Sequence, residues 1–223
     1  MNIISGLMNQ LKNNWFLLFV TLLISSLVLI FTFELAIYKN VLPSNLTRDT
    51  ATILKGPAYT GALSNFGIIL WSATAAIMLF SSYHLFRNTV QRRAALMTLL
   101  FGLLTAILCL DDTYQFHEKA FSGIIYVPEE FIYLFYLSCI IIISTVCRVA
   151  LFTTPYIVGV AAMGFFGLSI LVDEFNLPTG EHDAFVEDAF KFIGISLWTV
   201  YHFSSAFGFI SDISWRKENF AKG

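Results

Sequence analysis

Six stretches of this chain carry no Asp, Glu, Lys or Arg: Trp15 to Phe33, Gly56 to Phe86, Ala94 to Leu110, Phe131 to Cys147, Val149 to Val172 and Phe192 to Ser211. A helix that crosses the hydrocarbon core of a bilayer needs about 20 mostly apolar residues at 1.5 Å each. The runs reach that length, the two of 17 residues by taking a polar residue or two from their flanks. In lipid every backbone N–H and C=O must find its partner inside the segment, so such runs fold as helices. Apolar side chains make up 57% of the 223 residues and charged ones 13%, a balance unsuited to an ordinary water-soluble domain.

The sequence therefore predicts an all-α polytopic transmembrane bundle of six helices, preceded by a short interfacial amphipathic helix. In residues 1–14, Ile3, Ile4, Leu7, Met8 and Leu11 share one helical face opposite Asn2, Asn9, Lys12 and Asn13. The transmembrane domain covers residues 15–211, with spans at about 15–37, 61–86, 93–115, 129–148, 154–173 and 184–210, and residues 212–223 form a cytoplasmic tail. The first run is longer than a signal-peptide core, and Phe33-Glu-Leu-Ala-Ile-Tyr38 shows no small-x-small cleavage site, so it reads as a retained anchor. Cys109, Cys139 and Cys147 lie in or at the ends of spans without a CxxC pair and read as small membrane-embedded hydrophobes. Nothing is basic enough for nucleic acid, so the expected partner is the lipid bilayer, with any oligomer or membrane-complex partner left open.

Charge placement orients the bundle. With the N-terminus inside, the inner ends hold Lys12, Arg87, Arg92, Arg93, Arg148, Arg216, Lys217 and Lys222, eight of the thirteen basic residues. Both termini are then cytoplasmic, and the expected location is a bacterial inner membrane. The same assignment sends thirteen of the fifteen acids to the outer ends.

Most of those acids read as solvated helix ends, but the segment Leu110-Asp-Asp-Thr-Tyr-Gln-Phe-His-Glu118 differs. A span that begins near Arg93 is still incomplete at Asp111 and Asp112, and ionisable groups inside a membrane are functional candidates by default. Asp111 and Glu118 lie two turns apart on one face, and His117 sits beside them. On the last span Glu187, Lys191, Gly194, Trp198, Tyr201 and Ser205 step by four and three, so one stripe gathers its polar groups with His202 alongside. Lys191 lies about one turn inside the outer boundary and reads as an internal counter-ion, able to pair with Glu187 at i−4 or with acids of other helices; a lysine that merely snorkels to water is the alternative.

The candidate ion-binding or metal-binding residues are Asp111, Asp112, His117, Glu118, Asp173 and Glu187, with Glu34, Glu130, Asp188, Tyr201 and His202 behind them. Hard oxygen ligands plus one imidazole suit Mg, Ca, Mn, Fe or Zn, so a divalent metal ion is the cofactor this set would take. Several acids in one pocket equally suit proton passage. No E-x-x-H, H-x-x-x-H or H-E-x-x-H occurs, which argues against the usual helical di-iron and zinc-protease arrangements.

Leu110-Asp111-Asp112 with His117-Glu118 on one helix, and Glu187-Asp188, Lys191, Gly194 and Trp198 on a later one, resemble an uncharacterised family of bacterial multipass membrane proteins. That resemblance covers the chain from about Gly61 and implies no activity. Ser81-Ser-Tyr-His84, Asp112, His117 and His202 loosely resemble the intramembrane hydrolases of the alkaline ceramidase type, whose likeness implies a zinc ion held by three histidines and a bundle of seven helices. The chain departs from that pattern: Trp198 and Ala206 stand four residues either side of His202, and His84 belongs to the opposite membrane face from Asp112.

The leading expectation is an outward-facing carboxylate, His and Lys pocket that binds or transfers a cation or proton. An accessory or structural subunit with interhelical charge pairs is the second, and a metal-dependent intramembrane lipid hydrolase the third. No catalytic residue is assigned.

Overall fold

The computed structural model describes residues 3–47, 53–57, 59–87, 91–114, 129–175 and 183–220, and these divide into two compact units, residues 1–60 and 61–223. All regular structure among the described residues is helical.

The first unit holds α1 (Ile3–Tyr38) and the short α2 (Ser44–Thr47). The expected amphipathic segment and first span are one unbroken helix of 36 residues. It stops where Asn40 turns left-handed at φ 52°, with Val41 N–H bonded to Ala36 O and Asn40 N–H to Ile37 O. This is a Schellman ending, in which the left-handed residue returns two of the last orphan carbonyls to the chain, and Pro43 follows. Glu34 is exposed on this helix.

The second unit contains α3 (Ala62–Phe86), α4 (Arg92–Tyr114), α5 (Glu129–Val146), α6 (Arg148–Leu151), α7 (Tyr156–Phe175) and α8 (Asp183–Phe220). Gly61, at φ 70°, turns the chain into α3 in a left-handed conformation that a side chain would resist. Cys147 breaks the helical run after α5, and the hydroxyls of Thr153 and Thr154 close the turn before Pro155 by bonding Ala150 O and Leu151 O. α8 continues through what the sequence assigns to the tail, as far as Phe220.

Within this unit α3 packs along α4 and α8, α7 packs along α8, and α5 lies on α4. Successive long helices alternate in direction, so one end of the bundle collects Gly61, Tyr114, Glu129, Phe175 and Asp183, and the other collects Phe86, Arg92, Val146 and Tyr156. The first is called the acid end below and the second the arginine end.

Four helical segments are long and apolar enough to cross a membrane: Ala62–Phe86, Arg92–Tyr114, Tyr156–Asp173 and Phe185–Ser211. Glu130–Val146 is a shorter apolar helix. Their outward faces carry exposed Phe66, Ile69, Phe80, Leu103, Ile107, Phe135 and Ile141. In water so continuous an apolar surface would aggregate; in hydrocarbon it is solvated. The protein is an integral membrane protein.

With lipid outside, burial of apolar area no longer drives helix pairing, and close packing plus interhelical hydrogen bonds must do so. Aromatic rings fill the middle: Trp71 stacks on Phe166 at 5.8 Å, and Trp198 sets its edge against Trp71, Phe101 and Phe166. The Trp198 indole N–H donates to Thr105 Oγ1 at 3.1 Å, tying α8 to α4, and the Thr74 and Thr199 hydroxyl oxygens lie 3.0 Å apart where α3 meets α8. Gly194 admits the Phe166 ring so closely that a Cβ there would lie 2.7 Å from it.

Candidate functional site

α4 ends at the acid end with two adjacent carboxylates, and neighbours on a helix point about 100° apart. Asp111 turns toward α5, is 7% exposed, and accepts a hydrogen bond from the Tyr136 hydroxyl. Asp112 turns toward α8, where its Oδ1 lies 2.5 Å from Lys191 Nζ. The Asp112 side chain is 10% exposed and that of Lys191 36%, so the carboxylate is the more enclosed of the two.

The polar stripe of α8 explains why Lys191 reaches inward. Gly194, Trp198, Tyr201 and Ser205 are all buried, so the face they share with Lys191 is the packed one. Glu187 and Asp188, one turn before the lysine, also act on its charge, Asp112 most strongly of the three. α3 comes close as well: a Cβ on Gly67 would stand 4.0 Å from Asp112 Oδ2 and 3.1 Å from Ile195 Cδ1. A small cavity of about 20 Å³, lined by Ser64, Gly67, Asp112, Asp188 and Lys191, adjoins the pair. That is room for about one water molecule.

The structure does not bring every expected residue here. Asp173 is exposed on α7, with no bond to Asp112 or Lys191. Glu130 is exposed on α5, and Glu34 belongs to the other unit. His117 and Glu118 lie outside the described residues. Among the described residues no three His, Cys, Asp or Glu side chains gather in a way that would hold a metal ion.

Tyr201 and His202 sit deeper. Tyr201 Oη lies 3.2 Å from Thr154 Oγ1, whose own proton goes to Leu151 O, so the tyrosine donates. His202 is fully buried among Phe101, Trp198 and Tyr201, with ring centroids 4.5 to 5.0 Å away, and neither ring nitrogen has a hydrogen-bond partner. It lies eleven residues along α8 from Lys191, about 16 Å at 1.5 Å per residue. His84 is seventeen residues along α3 from Gly67, the residue that faces Asp112, hence about 25 Å from that carboxylate. The residues of the hydrolase-like pattern are thus spread along the bundle.

Two contributors escaped the sequence reading. Tyr136 carried a signal, a phenolic hydroxyl inside an uncharged span, which in lipid must find a partner. Gly67 carried none, because close approach of a helix is visible only once its neighbour is in place.

A family model described as "Domain of unknown function (DUF8692)" matches residues 16–205. The chain belongs to this family. The match begins at Phe16 within α1 and ends at Ser205 within α8, so it includes Asp111, Asp112, Tyr136 and Lys191. No curated protein and no solved structure matches the chain.

Proposed function

We propose that this member of the DUF8692 family takes up and releases a proton at the acid end, with Asp112 as the group that exchanges it and Lys191 as the counter-ion that responds. The observation that carries the reading is the enclosed Asp112–Lys191 pair beside space for a single water. Of the cations the acids suggest, the proton fits best. An ammonium already occupies the carboxylate, no third ligand stands by among the described residues, and the space is too small for a hydrated metal ion.

The chemistry follows from the neighbours. A proton delivered by water to Asp112 neutralises it and removes the attraction that holds Lys191 across the α4–α8 interface. The ammonium then turns to Glu187 and Asp188 on its own helix. Loss of the proton restores the interhelical pair. Protonation is thereby coupled to a contact between two membrane helices, the kind of two-state element on which proton transport across a membrane is built. In this reading the membrane is a bacterial inner membrane, and the arginine end, with both termini, faces the cytoplasm.

A second reading has its own support: Lys191–Asp112 joins α8 to α4, and Tyr136–Asp111 joins α5 to α4, as charge and hydrogen-bond ties of an accessory subunit would. Proteoliposomes loaded with a pH-sensitive dye separate the two. The proton reading expects an imposed pH gradient to collapse faster with the protein than without it, and Asp112→Asn to slow that collapse. A parent protein indistinguishable from protein-free vesicles would leave the accessory-subunit reading in its place.

A further inference from the structure

We propose that a cleft at the arginine end, remote from the acid-end pair, binds the phosphate headgroup of an anionic membrane lipid. The cleft has a volume of about 810 Å³ and is open at one side. It lies where the start of α4, the α6–α7 turn and the last membrane-embedded turns of α8 meet. Its size falls within the range of roughly 300 to 1,000 Å³ over which pockets enclose a ligand of several tens of atoms.

Its lining specifies the ligand. Arg92 and Arg93 line it and are exposed. Asp111 and Asp112 lie at the opposite end of α4 from these two arginines, about 27 to 30 Å away at 1.5 Å per residue. Thr153, Thr154 and Ser205 also line the cleft, but their hydroxyl protons go to Ala150 O, Leu151 O and Tyr201 O. Those three hydroxyls offer lone pairs, not donors, so an anion here is held chiefly by the two guanidiniums, whose forked N–H groups match a phosphate, with the side chains of Gln91 and Ser204 also in the lining. A headgroup hydroxyl can donate to the hydroxyl oxygens beside them. The remaining wall includes Val149, Ala150 and Phe209, an apolar surface that a bare phosphate leaves uncovered and a lipid's glycerol and first methylenes would cover. Basic pockets between membrane helices at a cytoplasmic boundary are suited to such headgroups.

Native mass spectrometry of the purified full chain tests this, with phosphatidylglycerol, phosphatidylcholine and inorganic phosphate as probes. The expected result is a phosphatidylglycerol adduct about tenfold or more tighter than the phosphatidylcholine one, since each basic residue near an anionic lipid contributes severalfold. Millimolar inorganic phosphate should not displace it. Arg92→Gln with Arg93→Gln should abolish the preference. Gly208→Leu should abolish the adduct with both arginines intact, because a Cβ at Gly208 meets open space in the cleft and the helix gains propensity. Equal binding of the two lipids, or a preference that survives either variant, overturns the site. Displacement by inorganic phosphate overturns the lipid and leaves a soluble anion as the ligand.

Discussion

Replacing Lys191 with Met removes the cation and keeps most of the side chain's length. The loss can be bounded from the geometry. An exposed ion pair contributes ~0 to 1 kcal/mol, whereas breaking a buried one costs about 3 to 5 by leaving a charge unpaired. Lys191 is 36% exposed and Asp112 10%, so the pair lies between these limits, nearer the buried one on the side of the group left behind. A loss of about 2 to 3 kcal/mol follows. For a chain of this size that lowers the melting temperature by about 5 to 10 °C, read in a fixed detergent at a fixed scan rate. The cost should be asymmetric. Asp112→Asn leaves Lys191 with water, Glu187 and Asp188 to turn to, so it should cost about half as much, and the double variant should recover part of the Lys191→Met loss. A Lys191→Met protein that melts within 1 °C of the parent, or an Asp112→Asn change more damaging than Lys191→Met, would refute the reasoning, since either outcome means the carboxylate does not depend on the ammonium.

Three further outcomes are expected. Gly194→Val should cost about 3 kcal/mol through overpacking, seen as a lower melting temperature and altered tryptophan fluorescence, because its Cβ would enter the Phe166 ring that stacks on Trp71. Thr105→Val should cost about 1 to 3 kcal/mol by leaving the buried Trp198 N–H without its acceptor, and in a Trp198→Phe background the same change should cost far less. Reporter fusions after Arg92 and after Lys217 should both read cytoplasmic and one near Ser122 external; opposite compartments for the Arg92 and Lys217 fusions would remove the six-helix model.

How much of this was legible in the residues depended on how directly the solvent acts on them. Lipid excludes charge from whole segments, so the six apolar runs announce six long helices, and Gly61 announces where α3 begins. The α8 stripe was readable for the same reason, since polar groups spaced at four and three can share only the packed face. Sequence also placed the acids by height along the bundle. For the acids it carried nothing about rotation around the helix axis. Asp111 and Asp112 differ by one residue, yet one meets Tyr136 and the other Lys191, while Asp173 is exposed on α7. Arg92 and Arg93 read only as topology signals, because the cleft beside them is completed by α6, the turn that follows it and α8, which no local pattern brings together.

The central claim is that Asp112 gains and loses a proton while Lys191 answers it. Infrared difference spectroscopy of the membrane-reconstituted protein across a pH step reads this directly, because a protonated carboxyl has a C=O stretch separate from that of a carboxylate. The account predicts a carboxyl band that grows as the pH is lowered, vanishes in Asp112→Asn and moves to a different pH in Lys191→Met. A spectrum whose carboxyl bands are the same in the parent and in Asp112→Asn would contradict it.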